Sequence, residues 1–194
     1  MMLENLNKYN IILASKSPRR QELLKGIGLP FSVLTKDVDE SFSSEMSVFD
    51  VAPFLSYKKA KAFEESELPE NYMVITADTV VVIGDAILGK PKDFEDACNM
   101  LRLMSGKKHS VVTGVTIHTK EKTKTFSAIS KVFFEVLDED EINYYVSMYK
   151  PFDKAGSYGI QEWIGYVGVK SVEGSYFNVM GLPTQKLYQI LKRF

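Results

Sequence analysis

The stretch MVITADTVVVI, residues 73–83, decides the fold of this chain. It is apolar and rich in β-branched side chains on both sides of one aspartate, a pattern typical of a central strand buried on both faces. Gly84 and Asp85 then predict a turn. An unpaired buried carboxylate is costly, so Asp78 within this strand predicts a nearby cation or metal. The alternative is a structural ion pair or the capping of a neighbouring helix.

The segments around this strand alternate between strand and helix patterns. The sequence therefore predicts an α/β fold, a single domain over residues 1–194 with a mixed, largely central β-sheet flanked by helices. The first half is predicted to contain a strand over residues 10–14, a helix opened by Ser17 and Pro18 that ends near Gly26 or Gly28, and a helix over about residues 51–65. After the central strand, a helix capped by Asp93 and closed by Gly106 is followed by strands over residues 109–118 and 123–137, which a turn joins. A helix begun by Asp138 and Glu141, a strand near residues 168–172 and a last helix entered at Pro183 complete the prediction.

The composition limits the classes of partner. Lys and Arg number 24 against 25 Asp and Glu, which leaves no overall field to hold a nucleic acid, so any phosphate site must be local. No run approaches the roughly 18 to 20 apolar residues of a membrane span. Residues 1–10 lack a basic-then-apolar signal pattern, so we expect no membrane association and a cytoplasmic protein. The single cysteine, Cys98, lies within an apolar helical pattern and is expected to be buried and inert.

The run SKSPRR, residues 15–20, lies where a strand is followed by a helix. A helix N-terminus carries partial positive charge, so each arginine in its first turn is disfavoured by roughly 0.3 to 1 kcal/mol. A bound anion would remove this mismatch, because backbone N–H groups, hydroxyls and guanidinium groups all suit phosphate oxygens. Alternatively, Arg19 and Arg20 point into water or pair with acids such as Glu22.

The run GDAILGKP, residues 84–91, matches the glycine and lysine spacing of a phosphate-binding P-loop, but the sequence argues against one. A P-loop needs Ser or Thr after the lysine and must open a helix, whereas Pro91 has neither a hydroxyl nor an N–H group. Lys90 remains either a useful point charge or a solvated side chain. The lysines of the predicted second helix, Lys58, Lys59 and Lys61, are read as solvated in the absence of further context.

Three other patterns leave alternatives open. The glycine-rich run DKAGSYGIQ, residues 153–161, would let backbone approach a ligand, with Gln161 reading the edge of a planar base, or it forms only tight turns. The acidic loop that ends at Glu40 could supply a second carboxylate or be merely solvated. His109 and His118 are nine residues apart on a predicted strand, which is not the spacing of metal ligands, so both are interpreted as structural.

Six runs occur in order from residue 13 to residue 183: LASKSPRRQELL, TADTVV, LGKP, LMSGKKH, DKAGSYGIQ and EGSYFNVMGLP. Together they resemble the Maf family of nucleotide pyrophosphatases, which shares a broader fold resemblance with inosine triphosphate pyrophosphatases. The resemblance implies cleavage of a nucleoside triphosphate into the monophosphate and pyrophosphate, with a divalent cation, Mg²⁺ or Mn²⁺. It also implies a homodimer.

The same resemblance implies roles for individual residues. Asp78 orients or deprotonates the water that attacks the α-phosphorus, and cations stabilise the departing pyrophosphate. The implied set comprises Ser15, Arg19 and Arg20 for phosphate, Lys59 and Lys90 as catalytic charges, Asp78 as the base, and Asp78 with Glu40 as metal ligands.

The family's dTTP and UTP branch is marked by three residues that this sequence contains, Arg20, Thr79 and Gln161. The 7-methyl-GTP branch differs at those positions and ranks second, and a non-catalytic, nucleotide-binding regulator of cell division is the alternative outside enzymes. One departure is visible. After YGIQ the family usually continues with glycine, whereas Glu162 and Trp163 follow here, at the base end of the expected pocket.

Overall fold

The computed structural model describes residues 3–194; Met1 and Met2, part of the segment expected to lack a signal pattern, lie outside the described residues. Within that range the chain alternates between strands and helices, as the sequence predicts. The strands are β1 (Asn10–Leu13), β2 (Ser32–Val33), β3 (Tyr72–Ile83), β4 (Ala86–Leu88), β5 (Lys108–His118), β6 (Thr123–Phe134) and β7 (Val169–Glu173). The helices are α1 (Pro18–Gly26), α2 (Val51–Lys61), α3 (Phe94–Met104), α4 (Glu139–Tyr149), α5 (Trp163–Val167), α6 (Tyr176–Val179) and α7 (Thr184–Leu191).

The strands of residues 3–194 form one mixed sheet in the order β2-β1-β3-β5-β6-β7, with β4 paired to β3 outside this order. β1 runs parallel to β3, with Ile12 opposite Val74, and β4 runs antiparallel to β3. All residues of β3 except Thr79 and Ile83 are buried. The predicted α/β fold with a central mixed sheet flanked by helices is therefore confirmed.

The chain divides into two compact units. The first unit contains the chain up to Asp78 together with Thr113–Ala128 and Gly181–Phe194, and the second contains Thr79–Val112 and Ile129–Met180. The prediction that residues 1–194 form a single domain stays a prediction.

In the first unit, α2 lies directly against β5 at Gly114. A Cβ at this glycine would lie 2.2 Å from the Pro53 nitrogen and 2.4 Å from the Ala52 oxygen, so no other residue fits there without moving α2. Ser56 adds polar anchors on the same helix: its hydroxyl is 2.9 Å from the Thr116 hydroxyl. Its carbonyl oxygen accepts a hydrogen bond of 2.6 Å from the Thr76 hydroxyl. These contacts fix the position of α2 on the sheet.

In the second unit, α3 and α4 contribute to one apolar core. Buried Leu101 and Met104 of α3 belong to the same cluster as Ile142 and Val146 of α4, and Cys98 is a buried free thiol, as predicted. Burial raises the pKa of the Cys98 thiol, which keeps it in its unreactive protonated form. The predicted starts of α3 and α4 are confirmed, because the Asp93 and Asp138 side chains each accept a hydrogen bond as N-caps.

Two element ends differ from the prediction. The helix predicted to continue to about residue 65 ends at Lys61, because Phe63 packs into the core with Tyr72 and a separate short turn begins at Glu65. The strand predicted to continue to residue 137 ends at Phe134, and the Glu135 N–H donates to the Gly168 oxygen. The hairpin turn between β5 and β6 forms as expected.

Among the helices of residues 3–194, none has both the length and the apolar character that crossing a bilayer requires.

Candidate functional site

Asp78 lies on β3, buried, and its Oδ1 forms an ion pair with the Lys59 ammonium of α2. The same Lys59 Nζ lies 2.8 Å from Glu40 Oε1, so one ammonium group bridges two carboxylates. The cation that the sequence predicts near Asp78 is therefore supplied by Lys59. Lys59 is not solvated like its neighbours, since its side chain is only 19% exposed.

The position of Lys59 follows from the way α2 is anchored. Ser56 bonds to the sheet one helical turn before Lys59, and its partner Thr76 lies two residues before Asp78, on the same side of β3. Residues three apart on a helix share a face, as do residues two apart on a strand. The two hydrogen-bonded residues therefore bring Lys59 and Asp78 together.

The arginines of the SKSPRR run lie at the start of α1, which follows the N-cap residue Ser17 without a side-chain cap. The Arg20 Nε donates to the Gly181 oxygen at 2.9 Å. Burial lowers the pKa of Arg20 from its ordinary value, although part of the side chain is accessible. The charges of Asp78 and Glu40 raise this pKa, and the charge of Arg19 lowers it. Arg20 thus lies within electrostatic reach of both carboxylates and of the other arginine.

Ser15 precedes the helix and is buried, and its hydroxyl oxygen accepts a 3.2 Å hydrogen bond from the Ser17 N–H. Six of the predicted site residues belong to the first unit, and we use the name Asp78 cluster for this set as a whole. Its members are Ser15, Arg19, Arg20, Glu40, Lys59 and Asp78.

The three acidic side chains of the loop that ends at Glu40 differ in their partners. Asp37 and Asp39 are exposed and pair with Lys16 at 2.8 Å and Lys58 at 3.0 Å, which fits the solvated interpretation. Hydrogen bonds from Ser41 and Lys58 lower the pKa of Asp39 to about 2. Of these three acids, Glu40 is the one that contacts Lys59.

The other three predicted residues, Thr79, Lys90 and Gln161, belong to the second unit. Thr79 is half-buried beside Asp78 in the chain, and Lys90 is exposed after β4. The Gly156 N–H donates to the Gly89 oxygen at 3.0 Å, which joins the GKP turn to the DKAGSYGIQ run. The Gln161 Oε1 is buried and accepts no hydrogen bond from any of residues 3–194.

Sequence reasoning missed Lys154 and Tyr145. The Lys154 ammonium is buried and lies 3.1 Å from Glu162 Oε1 and 2.8 Å from Asp153 Oδ1. The Tyr145 hydroxyl donates to Glu162 Oε2 and accepts a 3.0 Å hydrogen bond from the Gly159 N–H. The sequence feature that could have pointed to these contacts is Glu162, which stands where the family usually has glycine.

Both histidines are structural, as predicted. The Nε2 of buried His109 is 2.8 Å from the Tyr158 hydroxyl, and burial lowers the pKa of His109 to about 4. His118 Nδ1 is 2.8 Å from the Thr123 hydroxyl. In the described part of the chain, no group of three or more His, Cys, Asp or Glu side chains is arranged to hold a metal ion without further ligands.

Comparison with known proteins gives one family match and full-length relatives. The family described as Maf-like protein matches residues 10–194. The dTTP/UTP pyrophosphatase of Bacteroides fragilis (strain YCH46) is 53% identical over 193 residues, covering 99% of this chain and 100% of that protein. The dTTP/UTP pyrophosphatase of Parabacteroides distasonis is 50% identical over 194 residues, covering 100% of both. Among solved structures, the Staphylococcus aureus Ham1 protein matches with a TM-score of 0.45 and 18% identity, over 64% of this chain and 71% of that one.

Proposed function

Because this chain belongs to the Maf family, we propose that it is a nucleoside triphosphate pyrophosphatase that hydrolyses dTTP and UTP to the monophosphate and pyrophosphate. Full-length relatives at 50% identity or more that carry the name dTTP/UTP pyrophosphatase support this substrate choice. The observation that carries the proposal is the Asp78 cluster, in which a buried carboxylate meets a lysine near two arginines at the start of a helix.

The triphosphate binds through the beginning of α1. Backbone N–H groups of a helix N-terminus favour anions, and two guanidinium groups add hydrogen bonds that suit phosphate oxygens. Arg19 and Arg20 bind phosphate with the help of the Ser15 hydroxyl. This role explains why two arginines occupy a helix start that by itself disfavours cations.

Asp78 acts as the general base in the proposed reaction. It orients and deprotonates a water that attacks the α-phosphorus, and the bond to the pyrophosphate leaving group breaks. Arg19, Lys59 and Lys90 stabilise the charge that develops on the leaving group. In such phosphoryl chemistry, positioning and electrostatic stabilisation supply most of the rate enhancement.

The carboxylates of the cluster fit a divalent cation. Asp78 Oδ1 and Glu40 Oε1 both contact the single Nζ atom of Lys59, so the two oxygens already converge on one cationic position. Mg²⁺ is commonly bound by one or two carboxylates together with substrate phosphates and water. Asp78 and Glu40 would hold Mg²⁺ or Mn²⁺, which when bound supplies charge neutralisation for the triphosphate.

Gln161 reads the pyrimidine in this proposal, since its carboxamide offers one donor and one acceptor to a base edge. Its Oε1 is buried and has no hydrogen-bond partner among residues 3–194, an unmet need that a ligand donor would satisfy. Thr79 and Arg20 complete the set of residues that favours the dTTP and UTP branch.

The test is pyrophosphate release by the purified protein with Mg²⁺ or Mn²⁺. We expect turnover of dTTP and UTP, with a lower kcat/KM for 7-methyl-GTP and for purine triphosphates. Preference for 7-methyl-GTP would favour the other enzymatic branch. Nucleotide binding without any pyrophosphate release would favour the non-catalytic regulator.

The proposed compartment is the cytoplasm, where nucleoside triphosphates are abundant. The homodimer implied by the family resemblance remains a proposal, and size-exclusion chromatography with light scattering would test it.

A further inference from the structure

Glu162 belongs to a buried polar network to which the proposed chemistry assigns no role. Its side chain is 19% exposed and that of Lys154 is 8% exposed, and the two lie 3.1 Å apart, Nζ to Oε1. The second oxygen, Oε2, accepts a hydrogen bond from the Tyr145 hydroxyl. Because each carboxylate oxygen has its own partner, the position of the Glu162 charge is fixed on both sides.

Gly159 brings this charge next to Gln161. A Cβ on Gly159 would lie 2.8 Å from Gln161 Nε2 and 3.0 Å from Glu162 Oε2, so both side chains pack over the bare Cα of the glycine. The Gly159 N–H also donates to the Tyr145 hydroxyl at 3.0 Å. The Tyr145 hydroxyl is therefore hydrogen-bonded both to the Gly159 backbone and to the Glu162 carboxylate.

The neighbouring charge decides which way the Gln161 carboxamide points. The amide NH₂ group is the positive end of the amide dipole, and its nitrogen lies 2.8 Å from the Gly159 Cβ position, which is also 3.0 Å from Glu162 Oε2. The opposite orientation would turn the carbonyl oxygen toward that negative charge, which is unfavourable in a buried setting of low dielectric constant. The orientation present leaves Oε1 as a buried acceptor without a partner among residues 3–194.

A fixed acceptor distinguishes pyrimidines. Uracil and thymine carry a donor at N3–H beside a carbonyl acceptor at O4, whereas cytosine carries an acceptor at N3 beside an amino donor. An acceptor oxygen facing N3 pairs with the first two bases and repels the third. A carboxamide free to turn over would serve all three.

We propose that Glu162, held by Lys154 and Tyr145, orients the Gln161 carboxamide and thereby makes the protein select uracil and thymine nucleotides over cytosine nucleotides. This inference rests on the function proposed above. Glu162 acts through Gln161 and is therefore a positioning residue. The departure from glycine after YGIQ thus acquires a physical role.

The test compares Glu162→Gln and Tyr145→Phe with two matched controls. Glu135→Gln removes a carboxylate whose partner is the exposed Lys170, 3.1 Å away, and Tyr149→Phe removes a hydroxyl from the same helix as Tyr145. For UTP and CTP, kcat and KM are measured separately. We expect the UTP-to-CTP ratio of kcat/KM to fall about tenfold in both test variants, the equivalent of about one net hydrogen bond, mainly through KM. The controls keep the wild-type ratio.

Equal losses for UTP and CTP, or an unchanged ratio in folded variants, would overturn the inference. Glu162→Gln keeps the shape of the side chain and leaves Lys154 paired with Asp153 at 2.8 Å, so it carries the test if Tyr145→Phe does not fold. Circular dichroism checks folding of each variant.

A second measurement needs no turnover. Calorimetry of UMP and CMP binding should show a preference for UMP in the wild type that shrinks by a similar factor in Glu162→Gln. If the wild type releases no pyrophosphate yet prefers UMP, the proposed reaction fails and the orienting role of Glu162 stands. If turnover is normal and no preference for UMP exists, the orienting role fails instead.

Discussion

Two lysines of this protein each bridge two carboxylates, yet their surroundings differ. Lys59 contacts Asp78 and Glu40, and Glu40 remains 52% exposed. Lys154 contacts Asp153, which is 58% exposed, and Glu162, whose remaining oxygen accepts a hydrogen bond from the Tyr145 hydroxyl. Both lysines thus have one exposed carboxylate partner, and the two sites differ in the charges around the lysine and in the hydrogen bond that fixes Glu162.

Local charge reinforces the contrast. In the Asp78 cluster, Lys59 contacts both carboxylates, Arg20 lies within electrostatic reach of both, and Arg19 lies near Arg20, so the local excess of positive charge favours a polyphosphate. Around Lys154, one ammonium faces two carboxylates, and the excess is negative. We therefore expect substitutions at Lys59 to change catalysis and substitutions at Lys154 to change stability.

The largest expected effect is on turnover by Lys59→Gln. Removing a well-aimed charged donor from the leaving group should lower kcat on the order of 10²-fold or more. Pyrophosphate release from dTTP measures this loss. Lys58→Gln is the matched control, since Lys58 precedes Lys59 on α2 and, among residues 3–194, pairs with the loop around the exposed Asp39. Equal rates of pyrophosphate release by Lys59→Gln and Lys58→Gln would contradict a catalytic role of Lys59.

Lys154→Met should act on stability. It leaves the Glu162 carboxylate, which is 19% exposed, with the Tyr145 hydroxyl as its remaining partner, and breaking a buried ion pair costs up to about 3 to 5 kcal/mol. Urea unfolding at pH 7 measures the free energy of unfolding. The control, Lys170→Met, breaks a pair whose lysine is 64% exposed and should cost less than about 1 kcal/mol. A loss for Lys154→Met as small as that of the control would contradict the prediction.

In contrast to the two lysines, buried His109 has no carboxylate partner among residues 3–194. Its folded-state pKa of about 4 lies below its ordinary value of 6.5, so the unfolded chain binds the proton more readily. The stability contributed by neutral His109 is complete above pH 6.5 and is lost as the pH falls toward 4. Between pH 7 and pH 5 the free energy of unfolding should fall by about 2 kcal/mol through this residue.

Urea titrations at pH 7, 6 and 5 test this, with His109→Gln as the comparison. The variant should lose this part of the pH dependence, whereas His118→Gln should keep it. The same pH slope in His109→Gln and the wild type would contradict the assignment.

The sequence predicted those features that depend on local patterns. The β-branched run around Asp78 predicted a buried strand, and the spacing of Asp138 and Glu141 predicted a capped helix start, since both signals lie within a few residues. Cys98 was predicted to be buried from helical periodicity and from the usual burial of free cysteines. Each of these predictions is confirmed.

Features that depend on tertiary placement could not be predicted in the same way. Lys58, Lys59 and Lys61 look alike in the sequence, and the docking of α2 on the sheet, through Gly114 and the hydrogen bond between Thr76 and Ser56, decides that Lys59 meets Asp78. The partners Tyr145 and Glu162 are distant along the chain, and no local pattern joins them.

The most direct test of the central claim is pyrophosphate release from dTTP by Asp78→Asn. The substitution keeps the size of the side chain and removes the base, so we expect a folded protein that still binds nucleotide but turns over on the order of 10²-fold to 10⁴-fold more slowly. Substantial turnover by this variant would contradict the assignment of Asp78 as the base.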